Sequence, residues 1–288
     1  MIVWPEHLVD SIARRKAVIM IGSGVSRNSV NAEGASPPSW EAFLKDCAAQ
    51  LGDPEALSEL IGVKDYLTAC ELIKRRLGVG NFVQTVQRVY QQAAFMHADI
   101  HKHIYNLDAS IVATPNFDNI YETYASSVSG GSVVVKDHTN NDIASYLHGG
   151  NTRLILKTHG SANNPDEVIF TRLDYAEART KFTLFYAILK SLALTHTFLF
   201  VGCGIDDPDI RMLFEDIRFA HGRLPDHYMT VPQGAVADEV LTVVAETMHV
   251  TFVKYSPANN HEELTSALSS LVEKVEDARA QLRANGKW

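Results

Sequence analysis

Five apolar residues in a row, Ala17-Val18-Ile19-Met20-Ile21, end on a glycine at Gly22. An unbroken run of this kind is the pattern of a central strand covered on both faces, whereas a strand with one wet face alternates. Further runs follow at Ser110-Ile111-Val112-Ala113, Ser132-Val133-Val134-Val135, Arg153-Leu154-Ile155-Leu156, Thr197-Phe198-Leu199-Phe200-Val201, Tyr228-Met229-Thr230-Val231 and Thr251-Phe252-Val253. Helical spacing is read around 173–194, 208–221, 236–247 and 261–283, the last with charges on one side, so that it packs on the sheet or on a neighbour. Strand and helix alternate, which predicts an α/β fold with a parallel sheet.

One stretch breaks the alternation. Phe43, Leu44, Cys47 and Leu51, then Tyr66, Leu67, Cys70 and Ile73, then Phe82, Val86 and Val89 recur at helical spacing. They predict an all-helical insertion over 41–107, with Ser39 capping a helix that begins at Trp40 or Glu41. Before it lies a loop at 26–38 rich in Ser, Asn, Gly and Pro, long enough to cover a ligand.

Composition narrows the class. A chain of 288 residues with a formal net charge of -8 can bury a core without an external staple. The basic clusters Arg14-Arg15-Lys16 and Lys74-Arg75-Arg76 are short and far apart, which argues against a nucleic-acid surface. Three cysteines, Cys47, Cys70 and Cys203, form no CxxC pair and assemble neither a disulfide framework nor a zinc site by themselves. A reducing cytoplasm fits, and no run approaches the length of a membrane span.

Four polar segments sit where apolar runs end: Gly22-Ser23-Gly24-Val25-Ser26, Thr114-Pro115-Asn116-Phe117-Asp118, Lys157-Thr158-His159-Gly160-Ser161 and Gly202-Cys203-Gly204-Ile205-Asp206. In an open α/β sheet ligands bind outside the carboxyl ends of strands, so the four point to one nucleotide-sized crevice. Each also has a plainer reading. The third glycine of a G-x-G-x-x-G fingerprint would fall at Arg27, so the first turn is not the dehydrogenase motif. It is either a tight bend or a diphosphate cradle with Ser23 and Ser26 as extra donors. Asn116 and Asp118 either cap the next helix or face the crevice. His159 is structural or catalytic, and Cys203 is a nucleophile or simply the small residue that the turn tolerates. Asp206-Asp207-Pro208-Asp209 fits a helix start better than a divalent-ion site, and His97 with His101 lacks a third zinc ligand and reads as a surface helix. The joint occurrence at strand ends favours function, because caps and core histidines have no reason to recur there.

In order and in kind, these segments resemble the sirtuin superfamily, and specifically the bacterial sirtuin-like domains of antiphage defence systems. The likeness extends through Pro38-Ser39-Trp40, Lys157-x-His159-Gly160, the patch from Asn164-Pro165 to Thr171, Asp174 and Tyr175, and Gly202-x-Gly204-x-x-Asp207-Pro208-Asp209. It implies a Rossmann-like parallel sheet with helices on both faces, as a single NAD-binding domain over 1–288. Ordinary sirtuins carry a four-cysteine zinc ribbon that this chain cannot build, and a helical insertion stands in its place; no zinc is expected.

The resemblance implies an NAD hydrolase (NADase) that gives nicotinamide and ADP-ribose and defends by NAD depletion, with NAD as substrate. His159 would be the base, Asn116 would hold the ribose hydroxyl and the water, and Asp118 would bind the nicotinamide carboxamide. Gly22, Ser23, Gly24 and Ser26 would cradle the diphosphate; Gly202, Cys203 and Gly204 would line the adenosine side. It also implies a homo-oligomer and a ring-forming ATPase partner of the DNA-translocase type. The other classes are a non-catalytic NAD or ADP-ribose scaffold or sensor, and a deacylase or ADP-ribosyl transferase. A pure binder needs neither Asn116 nor His159.

Overall fold

The computed structural model describes residues 2–147, 152–204, 211, 214–218 and 224–286. Strands β1 (Ala17–Ile21), β2 (Ile111–Thr114), β3 (Val134–Asp137), β4 (Leu154–Lys157), β5 (Thr197–Val201), β6 (His227–Pro232) and β7 (Val250–Tyr255) form one sheet in the order β3-β4-β2-β1-β5-β6-β7. Every neighbouring pair is parallel. All residues of β1, β2, β4 and β5 are buried, the reason that these runs carry no polar alternation.

The helices up to β5 are α1 (Glu6–Ala13), α2 (Ser23–Ser26), α3 (Trp40–Gln50), α4 (Glu55–Gly62), α5 (Tyr66–Leu77), α6 (Val79–Tyr90), α7 (Asp99–Asn106), α8 (Ile120–Val128), α9 (Arg172–Lys181) and α10 (Thr183–Thr195). Because successive side chains of a strand point to opposite faces, Ile19 and Ile21 enter a core with Leu8, Ile12, Ile104, Tyr121 and Leu268. Val18 and Met20 enter another with Phe185, Leu189, Leu192, Phe198 and Val244. Both faces of the sheet are thus covered, as a Rossmann-like fold requires.

The insertion has a core of its own. Phe43, Leu44, Leu57, Ile73, Phe82 and Val86 pack with Val168 and Phe170, which come from the segment between β4 and α9. Phe170 meets Phe43 at 5.3 Å and Phe82 at 5.4 Å edge-on and stacks on Phe117 at 4.8 Å. Ser39 caps α3 by accepting from the amide of Ala42 at 3.2 Å. α7 instead packs Ile100 and Ile104 against the sheet, so four helices form the separate cluster and the fifth belongs to a sheet layer.

The structure corrects several sequence readings. β3 begins two residues later than its apolar run, because an edge strand that is only half-buried is not pinned by its pattern. The helix read at 173–194 is two helices, α9 and α10, broken at Phe182. His101 is buried rather than on a surface helix, and its Nδ1 accepts from the amide of Ala98 at the start of α7. Of the helix read at 208–221, the described residues 214–218 are helical, while Ile205 and Asp206 through Asp209 lie outside the described residues.

The last helix, Ala258–Ala284, turns its apolar stripe inward: Leu264, Ala267, Leu268, Leu271, Val275 and Leu282 are all buried. Arg279, 2% exposed, donates to the carbonyls of Ala13 and Leu107, which end α1 and α7. A cation at two helix carboxyl ends satisfies orphan carbonyls and meets the negative ends of both dipoles.

Candidate functional site

Register brings the four polar segments to one edge. Ile21 pairs with Val201, Met20 with Ala113, and Thr114 with Lys157, so β4, β2, β1 and β5 end level with one another. They are four adjacent strands. From β1 the chain moves to β2 on one side and returns through β5 on the other, which places a topological switch point between β1 and β5.

At that point the first and fourth segments touch. The amide of Gly22 donates to the Val201 carbonyl, and that of Gly24 to the Gly202 carbonyl, both at 2.9 Å. A Cβ on Gly22 would stand 2.5 Å from the Gly202 oxygen, and one on Gly202, at φ +63°, would stand 2.7 Å from the nitrogen of Val25. Glycine is needed here for backbone to meet backbone. Cys203 donates its Sγ hydrogen to the Met20 carbonyl at 3.4 Å, and Gly204 lies exposed at the end of the same turn. Gly22→Ala should therefore cost roughly 1–3 kcal/mol of stability by overpacking. Denaturant unfolding checks this, and an unshifted midpoint would contradict it.

The second segment is joined to the first by side chains. Asn116 donates through Nδ2 to Ser26 Oγ at 2.9 Å, and Ser26 donates to Asp118 Oδ2 at 2.7 Å. Since the serine hydrogen goes to the carboxylate, the serine oxygen must accept, which fixes the amide of Asn116 with its nitrogen toward Ser26. Asp118 Oδ1 accepts from the amide of Ile120 at 3.1 Å, the start of α8. One oxygen of Asp118 thus holds the first amide of α8, whose N-cap Asn119 makes no side-chain cap, while the other holds Ser26. Ser26 and Asp118 are buried and Asn116 half-buried, whereas Ser23 is exposed.

Beneath them lies a buried ion pair. Lys157 Nζ donates to Glu122 Oε1 at 2.6 Å and to the carbonyl of Asp118. Burial pushes the Glu122 carboxyl above its ordinary value, and the Lys157 charge pulls it back. Lys157 opens the third polar segment of the sequence but no role is read from it there, and Glu122 does not stand out. The available signal was a lysine ending the run Leu154-Ile155-Leu156, where a buried strand excludes an unpaired charge.

On the neighbouring strand end the amide of Thr158 donates to the Thr114 carbonyl at 2.8 Å, extending the pairing toward His159. His159 is buried, its carbonyl accepts from the amide of Ile169 at 2.9 Å, and Gly160 follows at φ +84°. Its Nδ1 lies 3.3 Å from the hydroxyl of Tyr175 on α9. A second histidine, His138, is buried against Phe182 at 4.6 Å, and burial lowers its pKa. The loops after β2 and β4 are tied together: the Ala162 amide donates to the Phe117 carbonyl at 2.8 Å, and Ser161 Oγ donates to Asn119 at 2.9 Å. The loop at 26–38 is tethered through the bridge between Val30 and Met96.

The other candidate ligands are occupied by packing. Cys47 and Cys70 sit in the insertion core, where burial pushes the Cys47 thiol up to about 12 and Cys70 well above its ordinary value. Such thiols stay protonated and are poor metal ligands. Burial lowers His101 to about 4, and the His97 ring packs tilted against Tyr124 at 4.3 Å. Among the described residues no three His, Cys, Asp or Glu side chains converge as a metal site, and no helix is long and apolar enough to cross a membrane.

Comparison with known proteins agrees with this architecture. A protein of Acinetobacter baumannii named NAD(+) hydrolase ThsA is 23% identical over 216 residues, covering 74% of this chain and 41% of that protein. Defense-associated sirtuin 2 of Bacillus subtilis is 27% identical over 217 residues, 74% of this chain and 20% of its own length. NAD(+) hydrolase ThsA of Bacillus cereus is 20% identical over 282 residues, 92% of this chain and 56% of its own. The chain therefore spans from a fifth to little more than half of these relatives. Residues 110–253, half of the 288, match the SIR2-like domain family and include Asn116, His159 and the last six strands of the sheet in part or whole, so the chain belongs to that family.

Proposed function

We propose that this chain hydrolyses NAD at the nicotinamide N-glycosidic bond, giving nicotinamide and ADP-ribose, and that it acts in antiphage defence by depleting NAD. The observation that carries the reading is the hydrogen-bonded chain Asn116–Ser26–Asp118 beside the strand end that holds His159. An amide fixed in this way, two residues past Thr114 as His159 is two past Lys157, the strand partner of Thr114, suits proton transfer and water placement. A binding crevice has no use for it.

Nicotinamide in NAD is a cationic leaving group that departs neutral, so no strong acid is required; the need is to stabilise an oxocarbenium-like ribose. As the C1′–N bond breaks, its electron pair goes to the pyridinium nitrogen. Water oxygen bonds to C1′, and His159 takes the water proton. Asn116, its Nδ2 held by Ser26, offers Oδ1 to the water or to a ribose hydroxyl. Asp118 gives one lone pair to Ser26 and one to Ile120, and the carboxamide of nicotinamide would use another. Since the amides of Gly22 and Gly24 are taken by the carbonyls of Val201 and Gly202, the exposed Ser23 is the donor best placed for the diphosphate.

Incubating the purified chain with NAD and resolving the products by chromatography tests this. Nicotinamide and ADP-ribose in equal amounts are expected. Binding without nicotinamide release would favour a scaffold, and release that depends on an acylated peptide would favour a deacylase. Chelator treatment is expected to leave turnover unchanged, since Cys47 and Cys70 are core residues and Cys203 stands apart from them in the turn after β5; turnover lost to a chelator and restored by zinc would refute that. A toxic activity needs restraint, and we propose control through a homo-oligomer or an ATPase partner. The exposed Val63 and Val79 on the insertion suit such a contact better than the last helix, whose apolar stripe is already buried.

A further inference from the structure

We infer that Lys157 is a positioning residue for the reaction: through the carbonyl of Asp118 it sets the turn that carries Asn116 against the strand that leads to His159. This rests on the roles proposed above for Asn116 and His159. Lys157 is the last residue of β4 and pairs with Thr114, the last of β2. Its backbone runs on to His159 two residues later, while its buried Nζ crosses to the other loop and donates to the Asp118 carbonyl. An ammonium group donates and cannot accept, so the direction of that bond is settled.

The turn is pinned on both sides of Asn116. Ahead of the side chain, Thr114 Oγ1 accepts from the Asn116 amide at 3.0 Å. Beyond it, the Phe117 carbonyl accepts from the amide of Ala162 at 2.8 Å, and the Asp118 carbonyl is held by Lys157. One residue thus reaches both proposed groups, His159 through its backbone and Asn116 through its side chain. That link carries weight, because a displacement on the order of 1 Å in a group that places a reactant costs up to about a hundredfold in rate.

Stability does not account for a lysine at this place. Apolar side chains of similar volume commonly replace a buried ion pair at no cost, and Leu154, Ile155 and Leu156 show that β4 is otherwise built from them. Helix capping does not account for it either. Nζ lies at the amino end of α8, the positive end of the dipole, where Glu122 in the first turn has the favourable sign and the lysine the unfavourable one. Glu122 offsets that charge at 2.6 Å. What the lysine supplies, and an apolar residue would not, is a donor long enough to cross from β4 to the Asp118 carbonyl.

Replacing both partners separates position from stability. Lys157→Met/Glu122→Met keeps a similar volume without a buried charge, so its denaturant midpoint should stay close to wild type. Its kcat should fall about tenfold while KM for NAD stays within about twofold, since Asn116 is placed for the reacting water. Hydrogen exchange at the amides of Asn116 and Ile120 should quicken about tenfold as the turn loosens. An ester in place of the peptide bond between Asp118 and Asn119 weakens that carbonyl as an acceptor and keeps the ion pair; it should lower kcat about threefold or more. In the unmodified protein, a nuclear magnetic resonance coupling across the hydrogen bond should join Lys157 Nζ to the Asp118 carbonyl carbon, a readout independent of turnover and of any variant's folding. Absence of that coupling, unchanged kcat in the ester protein, or a double variant with wild-type kcat or wild-type exchange would overturn the assignment. So would a raised KM with unchanged kcat. Absence of NAD cleavage by the unmodified chain would remove the reaction and this role with it, a failure distinct from one confined to the altered proteins.

Discussion

Alanine at His159 is expected to lower NAD turnover on the order of a hundredfold or more, with the fold unchanged. The imidazole is buried at the carboxyl edge of β4, where its backbone is held by the pairing of Thr158 with Thr114 and of Ile169 with His159. None of those bonds involves the side chain. Asn116→Ala should lose a similar factor through a different route, by freeing Ser26 and removing the amide oxygen offered to water. Because the two act on one proton transfer, the double variant should lose far less than the product of the two factors. Product chromatography beside circular dichroism checks all three. Wild-type turnover in both single variants would move the chemistry elsewhere.

Lys157→Met is expected to destabilise the protein by about 3–5 kcal/mol, because it leaves the Glu122 carboxylate buried without its partner. The side chain of Lys157 is 1% exposed and that of Glu122 11%, so water rescues neither. Burial already raises Glu122 above 4.5, and loss of the lysine raises it further. A carboxyl raised in the folded state contributes stability that is fully present below its unfolded value and is lost as pH rises through the folded value. The variant should thus come closest to wild type below pH 4.5, with a deficit that grows toward neutrality. Adding Glu122→Gln should recover much of it. An equal deficit at acidic and neutral pH, or no recovery, would refute the pairing as its cause.

Much of the frame was legible because burial on two faces leaves a local mark. The runs at Ala17–Ile21 and Thr197–Val201 coincide with β1 and β5 residue for residue. The edge strand β3 was displaced because a half-solvated edge tolerates polar residues and carries a weaker pattern. The break at Phe182 left no glycine or proline to read; the ring instead packs on His138, far away in sequence. Likewise, the insertion announced its helices but not that they gather around Phe170 from the other side of the chain.

The sequence by itself determined that a parallel sheet would end in polar, glycine-bearing turns, since apolar runs and the residues that stop them are local facts. It also determined which residue types stood at those ends: Asn116, Asp118, His159 and the glycines of the first and fourth turns. Only the tertiary structure decided which of them meet. Ser26 lies 92 positions from Asp118, Lys157 lies 35 from Glu122, and Tyr175 reaches His159 from the next helix. Strand order and register bring such pairs together, and both follow from the packing of whole faces, which no local window of the chain records.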